Sequence, residues 1–220
     1  MSVKQKSLLP LLLFVISISY SFGQTKQGYL FDEFQKGRTV FRNGSAAETF
    51  FNYNTLKEKL FFVSQDSVTM EVANPENIVI AKIGDKSFEH VKNGVFYERV
   101  NAGNNSVFYI QWRSTLQSKG KNTGYGTKST VSSIDNVSRI TDEYGDTYML
   151  RVDKEFDTLP NNSYYLKIKN RFKRFTSAND LAKLYKGHGE SIKKYAKDED
   201  IKFDNIEDIK KIIAYCELLN

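Results

Sequence analysis

Residues 119–130 concentrate the side chains best suited to chemistry: Lys119, Lys121 and Lys128 stand among Gly120, Gly124 and Gly126, with several hydroxyls and no acid. Glycine frees backbone amides to point at a ligand, and flanking ammonium groups add charge, so such a loop suits phosphate, sulfate or carboxylate. Tyr125 supplies a ring that stacks on a sugar or base, and Ser129 supplies a hydroxyl. The phosphate-binding pattern of nucleotide hydrolases fails here, because Gly126 is followed by Thr127 rather than lysine. The competing expectation is a glycine-rich hairpin loop without a ligand. Lys119, Lys121, Tyr125, Lys128 and Ser129 are therefore the candidate ligand-binding residues.

Other chemistries are poorly supplied. The histidines are His90 and His188, the latter inside Gly187-His188-Gly189, and no His-x-x-x-His pair, cysteine pair or calcium-loop spacing occurs. No metal site and no cofactor is expected. There is no Gly-x-Ser-x-Gly elbow. A catalytic triad meets only in the fold, so a hydrolase with a cryptic triad stays open as an alternative. Asp198, Glu199 and Asp200 read as a solvated acidic cluster rather than paired catalytic carboxylates. Cys216, the sole cysteine, sits among Ile212, Ile213 and Leu219 and is expected to be a buried core residue.

The elements that must hold these residues are mainly strands. Residues 93–113 read as a hairpin. Runs 95–100 and 107–112 are rich in β-branched and aromatic residues, and Asn101, Gly103, Asn104 and Asn105 tolerate the backbone angles of a reversal. Successive strand side chains alternate, so Phe108, Ile110 and Trp112 share one face and Val107, Tyr109 and Gln111 the other. The first face belongs in a core, and core packing is the expected role of Phe96, Phe108 and Trp112. Earlier runs at 38–42, 49–53, 60–63, 68–72 and 78–83 are separated by turn signals, with Asn52, Asn54 and Thr55 expected to interrupt one of them. In the run 68–72, Val68, Met70 and Val72 form an apolar face opposite Thr69 and Glu71. Such spacing leaves no room for crossover helices and fits an antiparallel sandwich or barrel.

Residues 114–146 turn to Ser, Thr, Gly, Lys and Asn and read as an insertion. Strands are expected again at 147–152 and 163–168, separated by a turn at 157–162. After Thr176 the period moves toward 3.6: Ser177 with Asp180 resembles a capping box, Gly187 is placed to end a helix, and Asp204 with Glu207 is expected to cap another. Ile206, Ile209, Ile213 and Cys216 line one side of that last helix. The expected fold is α+β: an antiparallel β sandwich or open barrel over residues 24–170, with a short helical C-terminal appendage, 171–220, packed on it.

Lys4 and Lys6, an apolar run over residues 8–18 and small residues before Gln24 have the form of a secretory leader cleaved after Gly23. The apolar run is shorter than the ~20 residues of a membrane span. Leader removal would lower the formal net charge of +6 by two, and the basic residues are spread along the chain. Nucleic acid is therefore not an expected partner.

The leader end Gly23-Gln24 comes with Phe34-Gln35-Lys36-Gly37 before a strand. Phe51-Asn52-Tyr53-Asn54 is followed by Leu60-Phe61-Phe62, and Gly120-Lys121 leads to Tyr125-Gly126 and Ser129. In these features the chain resembles a family of small exported proteins of the Bacteroidota. The resemblance implies an envelope location and carries over no catalytic residues. The expectation is a non-enzymatic periplasmic or secreted protein acting on a protein or glycan partner, with a small-anion or glycan binder using the 119–130 loop as alternative.

Overall fold

The computed structural model describes residues 28–103, 106–118, 140–141, 147–148 and 156–219. Ten strands form one antiparallel sheet: β1 (Gln35–Phe41), β2 (Ala46–Asn54), β3 (Lys59–Val63), β4 (Thr69–Glu71), β5 (Ile78–Ile83), β6 (Lys86–Lys92), β7 (Val95–Asn101), β8 (Val107–Gln111), β13 (Ser163–Ile168) and β14 (Arg171–Phe175). Their lateral order is β14-β13-β8-β7-β6-β5-β1-β2-β3-β4. Two small ribbons lie outside it: β9 (Ser114–Ser118) pairs with β12 (Phe156–Pro160), and β10 (Ile140–Thr141) pairs with β11 (Thr147–Tyr148). Helices α1 (Ala178–Leu184), α2 (Gly189–Asp198) and α3 (Ile206–Leu218) follow. The α+β class, an open antiparallel sheet with helices at the C-terminus, agrees with the expectation.

Local chemistry explains the reversals. Asn93 and Gly94 both adopt positive φ, 52° and 75°, the conformation of a two-residue turn whose twist matches its flanking strands. Gly37 answers a close approach instead. A Cβ there would lie 2.7 Å from the Lys82 carbonyl oxygen and 2.8 Å from the Phe51 ring.

The sheet curls. The Tyr53 hydroxyl on β2 donates to the Phe96 carbonyl on β7 at 3.4 Å, although three strands separate β2 from β7 in the sheet. The concave side encloses Phe51, Tyr53, Leu60, Ile78, Ala81, Ile83, Phe88 and Phe96 as one buried cluster. A second cluster lies toward the other edge, where Val100, Phe108, Ile110, Tyr164, Leu166 and Phe175 meet Leu181, Ile192, Ile209, Ile212, Ile213 and Cys216 of the helices. Each such apolar side chain contributes about 1.5–3 kcal/mol on leaving water, so these short helices persist by docking on the sheet. Trp112 packs against both clusters.

Capping sets where the helices begin. Ser177 Oγ accepts from the Asp180 amide at 3.2 Å. The Asp180 carboxylate accepts in turn from the Thr176 amide and hydroxyl and from the Ser177 hydroxyl. These bonds, the Thr176 amide first, hold the Asp180 carboxyl down at about 2. Asp is a carbon shorter than the usual Glu, and its carboxylate engages the amide one residue before the cap.

Several expectations need correction. β2 runs unbroken through Asn52 and Asn54, because the Asn52 side chain bonds the Phe31 backbone and the Asn54 side chain bonds the amides of Leu56 and Lys57. Ser114–Ser118 is a strand, not the start of an insertion, and it pairs residue for residue with Phe156–Pro160, where a turn was expected. Pro160 is tolerated at the end of that ribbon, since it lacks an amide donor. Asn205 rather than Asp204 caps α3, accepting from the amides of Glu207 and Asp208. Arg171–Phe175 belongs to the sheet, and the helices start at Ala178. Of the apolar face expected at 68–72, Val72 packs against the core cluster, while Val68 and Met70 stay 55% and 48% exposed.

Candidate functional site

Where β8 ends, the chain leaves the main sheet. β8 pairs with β7 and β13, but beyond Gln111 the chain turns into β9, whose partner β12 leads directly into β13. The fork is tied by backbone and amide bonds: Asn161 N donates to the Arg113 carbonyl at 2.8 Å, and Arg113 N to Asn162 Oδ1 at 3.1 Å. A segment at the N-terminal side of the fold closes one wall. Thr55 N donates to the Gly28 carbonyl at 2.7 Å, Leu30 N to the Tyr53 carbonyl at 2.9 Å, and Ser114 N to the Thr55 carbonyl at 3.1 Å. The Thr55 and Ser114 hydroxyls lie 2.9 Å apart.

These elements enclose a cleft of about 350 Å³ lined by Gly28, Tyr29, Leu30, Thr55, Trp112, Ser114, Thr158, Pro160 and Asn162. Trp112, the chain's one tryptophan, is half-buried. Its indole N–H donates to Glu98 Oε2 at 2.6 Å. Glu98 lies on the concave face of β7 with its side chain 8% exposed, and Lys86 Nζ donates to both its oxygens, at 3.0 and 3.3 Å. The same ammonium stands 5.2 Å from the indole centroid. Carboxylate, ammonium and indole thus satisfy one another, which fixes the plane of the ring beside the cleft. Burial raises the Tyr29 phenol above its ordinary value, so it stays protonated as a donor.

The convex face of the same strands carries a separate aromatic group. Tyr97 and Tyr165 stack at 4.7 Å, and Phe172 stands edge-on to Tyr97 and Tyr109 at 5.1 and 5.0 Å. Lys167 lies above Tyr109 and Phe172 while pairing with Glu89. Here rings cover rings, with Tyr97 and Tyr109 buried.

The residues singled out for chemistry from the sequence are distributed otherwise. Lys119, Lys121, Tyr125, Lys128 and Ser129 lie outside the described residues. His90 is on β6, its ring edge-on to Phe96 at 5.3 Å, and its Nε2 is shielded from solvent with no hydrogen-bond partner among the described residues. Burial, with the Arg42 charge adding to it and Glu76 opposing, holds the imidazole below its ordinary value. His188 precedes α2 and makes no side-chain cap bond. Asp198 pairs with Lys194 and Asp200 with Lys202 at the surface. Cys216 is buried as expected, and burial pushes its thiol up to about 12. Among the described residues, no three His, Cys, Asp or Glu side chains converge as metal ligands would.

Glu98 was legible and overlooked. It occupies the middle of Phe96, Glu98 and Val100, alternate positions that all face inward, and a charge at a core position demands a partner. The partners, Lys86 and Trp112, are distant in sequence. Compared with protein-family models, curated proteins and solved structures, the chain matches none of them.

Proposed function

We propose that this chain is an exported protein of the periplasm or extracellular space, akin to the small envelope proteins it resembles, and that it acts by binding a partner rather than by catalysis. The cleft at Trp112 is the binding site. One observation carries the reading: an aromatic ring is held by a buried ion pair at the edge of an open cleft. Such an arrangement spends two charges on orienting a surface, which suits recognition through a preorganised face. Among the described residues no helix is long and apolar enough to cross a membrane. The leader-like N-terminus supports export.

A specific feature favours a second reading, docking of a protein at the β4 edge. The β14 edge carries Arg171, Lys173 and Arg174, charges that discourage strand addition, whereas β4 presents exposed Val68 and Met70. Both are tested together by expressing the chain with its first 23 residues intact and locating it. The purified protein is then used as bait on the envelope fraction. Capture that is lost in Thr158→Phe, which fills the cleft, supports the cleft. Capture lost only in Met70→Lys moves the site to the edge, and a cytosolic product refutes export.

A further inference from the structure

Resting on the reading of the cleft as a binding site, we infer that its ligand is a neutral sugar ring. Three properties of the lining lead there. The first is size: about 350 Å³ falls at the low end of the ~300–1,000 Å³ of small-molecule pockets, room for one or two rings.

The second is charge. Among the described residues, no side chain that lines the cleft is ionic. The nearest cation beside the indole, Lys86, is committed to Glu98, and Arg113 at the fork is paired with Glu58 at 3.3 Å. A phosphate or carboxylate entering here would lose its hydration and meet no unpaired cation among the described residues of the lining. The ligand chemistry of the described lining therefore differs from the anion expected at residues 119–130.

The third is the division of the surface. Trp112, Leu30 and Pro160 offer apolar area, while Ser114, Thr158 and Asn162 bring hydroxyl and amide groups to the same cavity. The single Thr55 hydroxyl proton goes to the Gly28 carbonyl at 2.9 Å, so the Ser114 hydroxyl completes the 2.9 Å pair with Thr55 as donor and turns its lone pairs to the cavity. A pyranose has the complementary division: an apolar C–H face and a periphery of hydroxyls, each both donor and acceptor. Hydroxyls and amides, which donate and accept alike, match that periphery better than one-way groups do. The fixed indole supplies the stacking surface without an ordering cost at binding.

The test uses Trp112 itself, since a lone tryptophan makes emission report on this site alone. The protein is titrated with the methyl glycosides of glucose, galactose, mannose and N-acetylglucosamine, followed by fluorescence and by saturation-transfer NMR. Inorganic phosphate and adenosine are run alongside. At least one glycoside is expected to shift Trp112 emission saturably. Thr158→Phe, checked for an unchanged urea midpoint, should weaken it at least tenfold, and Ser114→Ala several-fold. Silence toward every glycoside overturns the assignment, as does a response indifferent to Thr158→Phe or one displaced by phosphate or adenosine. Envelope capture that Thr158→Phe abolishes without any glycoside response sinks the sugar and leaves the cleft as a binding site. Capture untouched by Thr158→Phe sinks both.

Discussion

Replacing Lys86 by methionine removes the ammonium that neutralises Glu98 while keeping most of the apolar stem. The carboxylate is then left 8% exposed with the indole N–H as its remaining side-chain donor among the described residues. Breaking a fully buried pair from one side costs about 3–5 kcal/mol, because the orphaned charge stays desolvated. Lys86 is 25% exposed, so water entering its place recovers part of that, and a loss of about 2–4 kcal/mol is expected. For a domain of this size that is a fall in melting temperature of about 5–12 °C. Glu98→Gln is milder, about 1–2 kcal/mol, since the amide oxygen still accepts from Trp112 and the lysine end reaches water. The double variant Lys86→Met/Glu98→Leu buries no charge and should regain most of the stability lost in Lys86→Met alone. Urea unfolding followed by Trp112 emission measures all three on the ring the pair holds. A double variant no more stable than Lys86→Met, or Glu98→Gln worse than Lys86→Met, would refute the buried-pair account.

Three further outcomes are expected. The folded imidazole of His90 lies below its ordinary value, so the unfolded chain takes up the proton first. Stability should be intact above about pH 6.5 and fall as pH drops below it, and the urea midpoint of His90→Gln should lose that component of the slope. Cys216, buried with its thiol at about 12, should react with a thiol reagent ~10³-fold or more slower in the native protein than in urea, the reaction tracking opening of the fold. Ile212→Ala on α3 should cost about 2–5 kcal/mol, with helical ellipticity and Trp112 emission still falling in one transition. Separate transitions would mean that helices and sheet are not one cooperative unit.

Strand existence was readable because alternation and turn chemistry are local. Residues 95–100 and 107–112 became β7 and β8, with Phe108 and Ile110 buried as their face required. The Asn93-Gly94 turn and the Ser177 cap likewise depend on neighbours in the chain. What escaped depends on distant partners. β9 has an apolar residue only at Leu116 and became a strand because β12 lies opposite it, so neither ribbon strand carried its own signal. Asn52 and Asn54 looked like strand breakers because the segment whose backbone they satisfy, or the turn they close, is invisible in a propensity count. The exposed Val68 and Met70 show the limit of alternation: it tells which side chains share a face and not whether anything covers that face. Trp112 was assigned to the core for the same reason, and half of that reading holds, since it packs on both clusters while also lining the cleft.

The placement of Glu98 ties register to the site. Cross-strand pairing runs Phe88, Glu98, Ile110, Tyr164, Phe175 along one line of the concave face, from β6 through β7, β8 and β13 to β14. Four members of that row are apolar, and the charged one stands where the two clusters meet. Leucine at position 98 together with methionine at 86 would join them and, by the usual balance for buried pairs, cost little or add stability. It would also remove one of the penalties on a slip of β7, leaving those set by Phe96, Arg99 and Val100. In the observed register Glu98 faces inward to Lys86 and Trp112, while Tyr97 and Arg99 face the convex side. Shifting by one residue would exchange these faces, stranding a carboxylate outside its partners and forcing Arg99 into the core. The pair therefore adds to the penalty on a one-residue slip. Because the indole N–H completes it, an interaction that supports the register of the central strands also holds Trp112 where it meets the cleft.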